Sequence, residues 1–176
     1  MFKKILVALV VILLILVVFI ATRPGDFKVT RSATYAAPPS AVFAQLNDLH
    51  KWPAWSPWVK LDPAMKQGYE GPATGTGSVS TWDGNSNVGS GRMTITESKP
   101  DELVKMKLEF FKPMAGTNDA VFDIKPSGTN TTLTWTMTGK NNFISKAVCL
   151  FMDMDKMVGG QFESGLANLK PIVEAK

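Results

Sequence analysis

The last thirty residues, from about Ser145 to Glu174, carry the pattern that most limits how this chain can fold. Leu150, Met154, Met157, Val158, Phe162, Leu166, Leu169 and Val173 recur mostly at steps of three or four, which places them on one face of a helix. The polar residues Asp155, Lys156, Glu163, Asn168 and Lys170 mostly fall on other faces. Gly159 and Gly160 interrupt the pattern, each costing about 1 kcal/mol relative to alanine, so a bend or a close approach is expected there. Pro171 comes late enough only to end the helix. One long helix with a wide, Met-rich apolar face needs something broad to cover, and the run of strand-like segments before it is the one candidate.

At the other end, Ile5–Ala21 is an unbroken run of 17 apolar residues preceded by Lys3 and Lys4, just long enough to cross a hydrocarbon layer of about 30 Å. A cleaved secretory signal is the competing reading, but bulky Phe19 stands near the exit where a small residue is expected. The reading adopted is a retained single-pass anchor over residues 1–23, with a domain over 24–176. Lys3, Lys4 and the terminal amine outweigh Arg23, so the short N-terminus is expected to stay cytoplasmic. The domain then faces the periplasm or cell exterior from the inner membrane of a bacterium. The formal charge of +4 includes the two anchor lysines, and the remainder carries 17 basic against 15 acidic residues, which is no nucleic-acid footprint. The single Cys149 excludes an internal disulfide and a cysteine metal cluster, and its apolar neighbours suggest an inert buried thiol.

Between these ends the chain reads as strands and turns. Phe27, Val29, Ala33 and Tyr35 alternate with Lys28, Thr30, Ser32 and Thr34, a period of two with one wet face. Ala37-Pro38-Pro39-Ser40 opens a short helix whose buried stripe is Val42, Phe43, Leu46 and Leu49. The segment His50–Trp58 holds three tryptophans, Trp52, Trp55 and Trp58, and two prolines that argue against regular structure. Strands follow over Ser78–Trp82 and Val88–Ser98, joined through Asp83-Gly84-Asn85. Further strands are expected over Leu103–Phe111, around Ala120, Phe122 and Ile124, and around Leu133, Trp135 and Met137, with turns at Pro100-Asp101 and Ser127-Gly128. Consecutive hairpins of this kind make an antiparallel meander.

The order of strand, Ala-Pro-Pro helix, "LNDLHKWPAWSPW", meander and terminal "FESGLANLK" helix resembles the SRPBCC superfamily over about Phe27–Glu174. That group includes START-like lipid-transfer domains, the birch-pollen-allergen fold and the polyketide cyclase/dehydrase families. The Trp-rich segment and the "MDMDKMVGGQFESGLANLK" tail are most similar to the bacterial polyketide-cyclase-like branch. The resemblance implies an α+β helix-grip fold: a curved antiparallel sheet wrapped around the long C-terminal helix, here preceded by a transmembrane helix, with a cavity between sheet and helix.

The inward strand positions Met93, Met106, Phe110, Phe122, Trp135 and Met137 face Met154, Met157 and Phe162. Thioethers and rings of this kind fill irregular space and adapt to variable ligands. With Trp55, Trp58 and Trp82, all of these except Met157 are the candidate ligand-binding residues. Two readings stand at this point: a pocket for an apolar molecule, which the family resemblance favours, or an ordinary packed core. The tryptophan segment likewise reads as a lid or mouth, as a group of rings dipping into a membrane interface, or as a structural plug against the sheet edge.

Little points to catalysis. His50 reads as a solvated loop residue, and Asp153 and Asp155, two apart on a helix, point in different directions and make no acid–base or metal pair. Arg92 and Glu97 have opposite strand parity and are not expected to share a face. Gly75-Thr76-Gly77 lacks the strand-to-helix context of a phosphate loop. The expectation is a monomeric, membrane-anchored module without cofactor or metal, holding a hydrophobic small molecule or lipid. The alternatives are a cyclase- or dehydratase-like enzyme, to which Glu70, Asp83, Arg92 or Glu97 would contribute from within the cavity, and a structural domain with a filled core.

Overall fold

The computed structural model describes residues 2–175, and in it the two periodicities of the chain separate into helices and strands. The order is α1 (Phe2–Thr22), β1 (Asp26–Tyr35), α2 (Pro39–Leu46), a 3-10 turn (Leu49–Ala54), α3 (Pro57–Leu61), β2 (Lys66–Glu70) and β3 (Val79–Asp83). It continues with β4 (Ser90–Lys99), β5 (Leu103–Lys112), β6 (Gly116–Ser127), β7 (Asn130–Lys140), α4 (Phe143–Val148) and α5 (Met154–Val173). The strands form one curved antiparallel sheet in the order β1-β7-β6-β5-β4-β3-β2, so only the first strand leaves the sequential meander, to pair with the last.

Alternation sets the two faces of the sheet. Val29, Tyr35, Ile95, Val104, Met106, Phe122, Ile124, Leu133 and Trp135 are buried on the concave side, where α5 lies. On the outer side of the β1–β7 pair, hydroxyls form a ladder: Thr30–Thr136, Ser32–Thr134 and Thr34–Thr132 at 3.2, 2.9 and 3.1 Å. These cross-strand neighbours satisfy one another, which explains a threonine-rich strand with one wet face. Helix α2 starts with Pro39 in its first turn, as its sequence implies, and buries Val42 and Leu46.

Several expectations are corrected. The C-terminal element is two helices, α4 and α5, separated at residues 149–153. The break follows from Asp153, whose side chain accepts from the Lys156 N–H as an N-cap and so starts a new helix. Met157 is consequently exposed and Met154 only half-buried, and the buried face of α5 is Gly159, Phe162, Gly165, Leu166, Leu169 and Val173. The prolines of the tryptophan segment do not prevent regular structure: Pro57 occupies the first helical turn of α3, where its missing N–H costs nothing, and Pro53 sits within the 3-10 turn. Cys149 is half-buried rather than sealed in the core. The short edge strand β2 has no sequence forecast.

Arg92 and Glu97 do share a face. A register shift between Ile95 and Glu97 inserts a bulge, after which Glu97 stands opposite Lys105, just as Arg92 stands opposite Glu109. One extra residue inverts the parity beyond it.

Candidate functional site

The concave side of the sheet is filled from the tryptophan segment. Asp48 caps the 3-10 turn by accepting from the His50 N–H, and the turn carries Trp52 inward, where its indole N–H donates to the Leu46 carbonyl at 3.2 Å. Trp55 follows one turn later, and its carbonyl accepts from Asn168 of α5 at 3.0 Å. Asn168 also accepts from Lys60 of α3 at 2.8 Å, so one side chain ties both parts of the segment to α5. Gly165 of α5 leaves the space that Pro57 and the Trp135 indole occupy: a Cβ there would meet both at 3.2 Å.

Trp135 on β7 is the hub. Its ring stacks on Phe162 of α5 with centroids 3.9 Å apart and planes 8° from parallel, and it touches Phe122 at 4.9 Å. Trp52, Trp55 and Trp58 meet its flank edge-on at 6.3, 6.0 and 5.8 Å. Edge-to-face and stacked pairs at these separations are each worth about 0.5–1.5 kcal/mol beyond the area they bury. Two donors in this cluster have no acceptor among the described residues. They are the indole N–H groups of Trp55 and Trp135, whose side chains are 1 % and 3 % exposed. A buried donor left unpaired costs about 1–3 kcal/mol, so these are the two polar points within an otherwise apolar cluster of rings.

Of the candidate ligand-binding residues, the structure brings Trp55, Trp58, Phe122, Trp135 and Phe162 into direct ring contact. Met93, Met106 and Met137 are buried in the same core. Trp82 and Phe110 pair edge-on at 5.7 Å further along the sheet, beside Gly91, and stand apart from the tryptophan cluster. Met154 lies outside it, at the start of α5. The tryptophan segment is therefore packed as a plug in this structure. Hollows among the described residues open on the surface instead. One, of about 520 Å³, is lined by Trp82, Gly91, Phe111 and Lys112, and another, of about 550 Å³, by Phe27, Asn141 and the 149–154 turn.

A charged cluster that the sequence reading passed over joins the sheet to α5. Arg31 stands in the inward phase of β1, between Val29 and Ala33. Its guanidinium donates to both carboxylate oxygens of Asp155, at 3.0 and 2.9 Å, and to Glu163 at 2.5 Å. It also donates to the Asp155 carbonyl at 3.1 Å. Gly159 makes this possible, since a Cβ there would collide with the guanidinium. The Asp155 carboxyl is held below its usual range, chiefly by the hydrogen bond from Arg31. The signal was present in the sequence: an arginine in phase with apolar residues on a strand, and a mid-helix glycine to receive it.

Other polar candidates lie outside the interior. His50 is exposed and stacks on Tyr69 at 4.0 Å. Arg92 pairs with Glu70 at 2.8 Å on the outer face. Lys105 and Lys99 hold the Glu97 carboxyl below its usual range, Lys105 the more strongly. Asp83 is exposed. Among the described residues, no three His, Cys, Asp or Glu side chains converge in a way that would hold a metal.

A seven-stranded antiparallel sheet closed by a C-terminal helix, with its first strand paired to its last and a short helical segment crossing the open side, defines a helix-grip domain. The chain belongs to the family described as polyketide cyclase / dehydrase and lipid transport, whose model matches residues 26–174. Solved structures share the fold at low identity. Protein CV1439 from Chromobacterium violaceum is 13% identical, with a TM-score of 0.63 over 85% of this chain and 98% of that one. The Aha1 dimer from Colwellia psychrerythraea is 16% identical, with a TM-score of 0.61 over 85% and 97%. Protein Mll3558 from Rhizobium loti is 21% identical, with a TM-score of 0.55 over 81% and 96%. No curated protein matches the chain in sequence.

Proposed function

We propose that this chain is a membrane-anchored binding module that holds a hydrophobic small molecule, a lipid or isoprenoid-like compound, between the sheet and α5. Residues 1–23 act as a retained single-pass anchor, and residues 24–176 form a monomeric domain facing the periplasm or cell exterior. Helix α1 spans 21 residues, about 31 Å at the usual helical rise, which suits that role. The observation that carries the binding reading is the pair of indole N–H groups, Trp55 and Trp135, that have no acceptor among the described residues, inside a region otherwise made of rings, methionines and aliphatic side chains. A mostly apolar molecule carrying carbonyl, ester or hydroxyl oxygens suits this interior: its body replaces ring contacts and an oxygen accepts from an indole N–H. Room for it comes from withdrawal of the Trp52–Trp58 segment, which is held to α5 chiefly through Asn168 and ring packing.

A second reading has its own support. The close ring packing around Trp135 is that of a filled core, in which the domain acts through its surface alone. Native mass spectrometry of the full chain, extracted gently into nanodiscs, separates the two, with identification of whatever is bound and titration of tryptophan emission by added lipids. A stoichiometric apolar adduct, or a saturable emission change that Trp55→Phe alters, supports the binding module. A bare mass together with emission indifferent to every lipid class rejects it in favour of the filled core.

A further inference from the structure

The four most exposed large apolar side chains outside α1, among the described residues, all lie at one end of the domain. They are Phe151 at 89 %, Ile144 at 62 %, Phe111 at 58 % and Phe143 at 46 %. Sheet register establishes the common end. Asp26, the first residue of β1, pairs with Lys140, the last of β7, and α4 with Phe143 and Ile144 follows directly. On β6, Asn118 pairs with Gly139, so Gly116 and the β5–β6 hairpin carrying Phe111 and Met114 reach beyond that end by about two residues, roughly 7 Å. The turn between α4 and α5, with Phe151 and Met152, completes the group.

This is also the end from which α1 departs. Arg23-Pro24-Gly25 is a link of three residues, able to span about 10 Å at most, and it is fastened to the domain where the Asn141 N–H donates to the Gly25 carbonyl at 2.8 Å. Helix α4 packs against α1, and Lys146 Nζ lies 3.4 Å from the carbonyl oxygen of Ala21 in its last turn. A side chain as large as Phe151 gains nothing from water at 89 % exposure, and a patch of such residues on a soluble surface marks a contact. Beside a helix long and apolar enough to cross a membrane, the covering medium that continuity supplies is the interface of the same bilayer, where aromatic rings are favoured.

We infer that α4, the α4–α5 turn and the β5–β6 hairpin form a membrane-docking face that seats the domain against the lipid interface around α1. The inference rests on the reading of α1 as a retained anchor. It turns the domain from a tethered body into an oriented one. The surface hollow lined by Phe27, Asn141 and the 149–154 turn then opens onto lipid.

The test uses the full chain in vesicles of phosphatidylethanolamine and phosphatidylglycerol. On a Cys149→Ser background, single cysteines at exposed positions carry an environment-sensitive fluorophore: Phe151→Cys and Phe111→Cys on the proposed face, Leu13→Cys within α1, and Asn130→Cys at the far end of β7. The expected result is that the 151 and 111 labels are shielded from aqueous iodide and quenched by lipids carrying a nitroxide near the headgroup, several-fold more than the 130 label. The 13 label should be quenched by nitroxides deep in the acyl chains. If the 151 and 111 labels behave like the 130 label while the 13 label is deeply quenched, the docking face is wrong and the anchor stands. Shielding from iodide without lipid quenching would assign the patch to a protein partner or a second copy and overturn the lipid proposal. An unquenched 13 label would remove the anchor, and the docking face with it.

Discussion

The indole of Trp135 on β7 lies flat against the ring of Phe162 on α5, 3.9 Å between centroids, and this stack is where the sheet and the closing helix are joined at the centre of the core. Both side chains are almost wholly buried, and the tryptophan segment wedges in beside them. Truncating Trp135 therefore removes packing from three elements at once.

Trp135→Ala is expected to cost about 3–5 kcal/mol, the range for losing a large ring from a packed interior. Trp135→Phe, which keeps a ring on Phe162 and deletes an unpaired donor, should cost much less. Urea unfolding of both variants checks this. A loss under about 1 kcal/mol for the alanine would show that Trp135 borders open space.

Two adjacent glycines are expected to respond oppositely to the same change. At Gly160 a Cβ meets nothing within 4 Å, so Gly160→Ala should stabilise α5 by up to about 1 kcal/mol through helix propensity alone. At Gly159 the Cβ strikes the Arg31 guanidinium, so Gly159→Ala should lower the melting temperature by driving Arg31 off Asp155 and Glu163. Thermal unfolding of the pair is the measurement. Equal stabilisation by both would mean that Arg31 gives way freely and its clamp contributes nothing.

The same clamp sets an acid response. Because Asp155 is held below its usual range in the fold, its stabilising effect is complete above the unfolded value of about 4 and is lost as pH falls through the folded one. Wild type and Asp155→Asn should therefore differ most above about pH 4 and converge below it. The carboxylate is largely exposed, so added salt should also narrow the gap. A gap that ignores both pH and salt would assign the effect to the helix start rather than to the ion pair.

Tyr35 sets an alkaline response. Its hydroxyl donates to the Leu166 carbonyl at 3.0 Å, and burial pushes its ionisation upward, with a smaller contribution from Glu174. The neutral form is favoured in the fold, so its contribution is whole below about pH 10 and declines as pH rises beyond it. Tyr35→Phe should cost about 0.5–1.5 kcal/mol at neutral pH and lose less than wild type on going to high pH. Unfolding curves at neutral and alkaline pH that stay parallel would show that Tyr35 does not govern the decline.

Much of this architecture was legible before any coordinates. Alternation located β1 and the meander, the proline pair located α2, and the resemblance carried by "LNDLHKWPAWSPW" and "FESGLANLK" gave the helix-grip arrangement and the family, which the matched residues 26–174 bear out. Local periodicity reports which side of an element is apolar, and that information is carried by neighbouring residues. Errors arose where one residue changes phase. Asp153 restarts the helix, and the bulge beyond Ile95 turns Glu97 to the face of Arg92.

What the sequence alone determined is the set of faces: an apolar N-terminal run, a sheet with one wet and one dry side, and a closing helix with an apolar stripe. Tertiary structure alone decided which residues fill the dry side. Trp52 and Trp55 lie about eighty residues before Trp135, and Arg31 lies more than a hundred before Asp155, so no pattern within one element can pair them. Their meeting depends on how the sheet curves, where α5 crosses it and where Gly159 and Gly165 leave room, all of which are fixed only when the whole chain packs against itself.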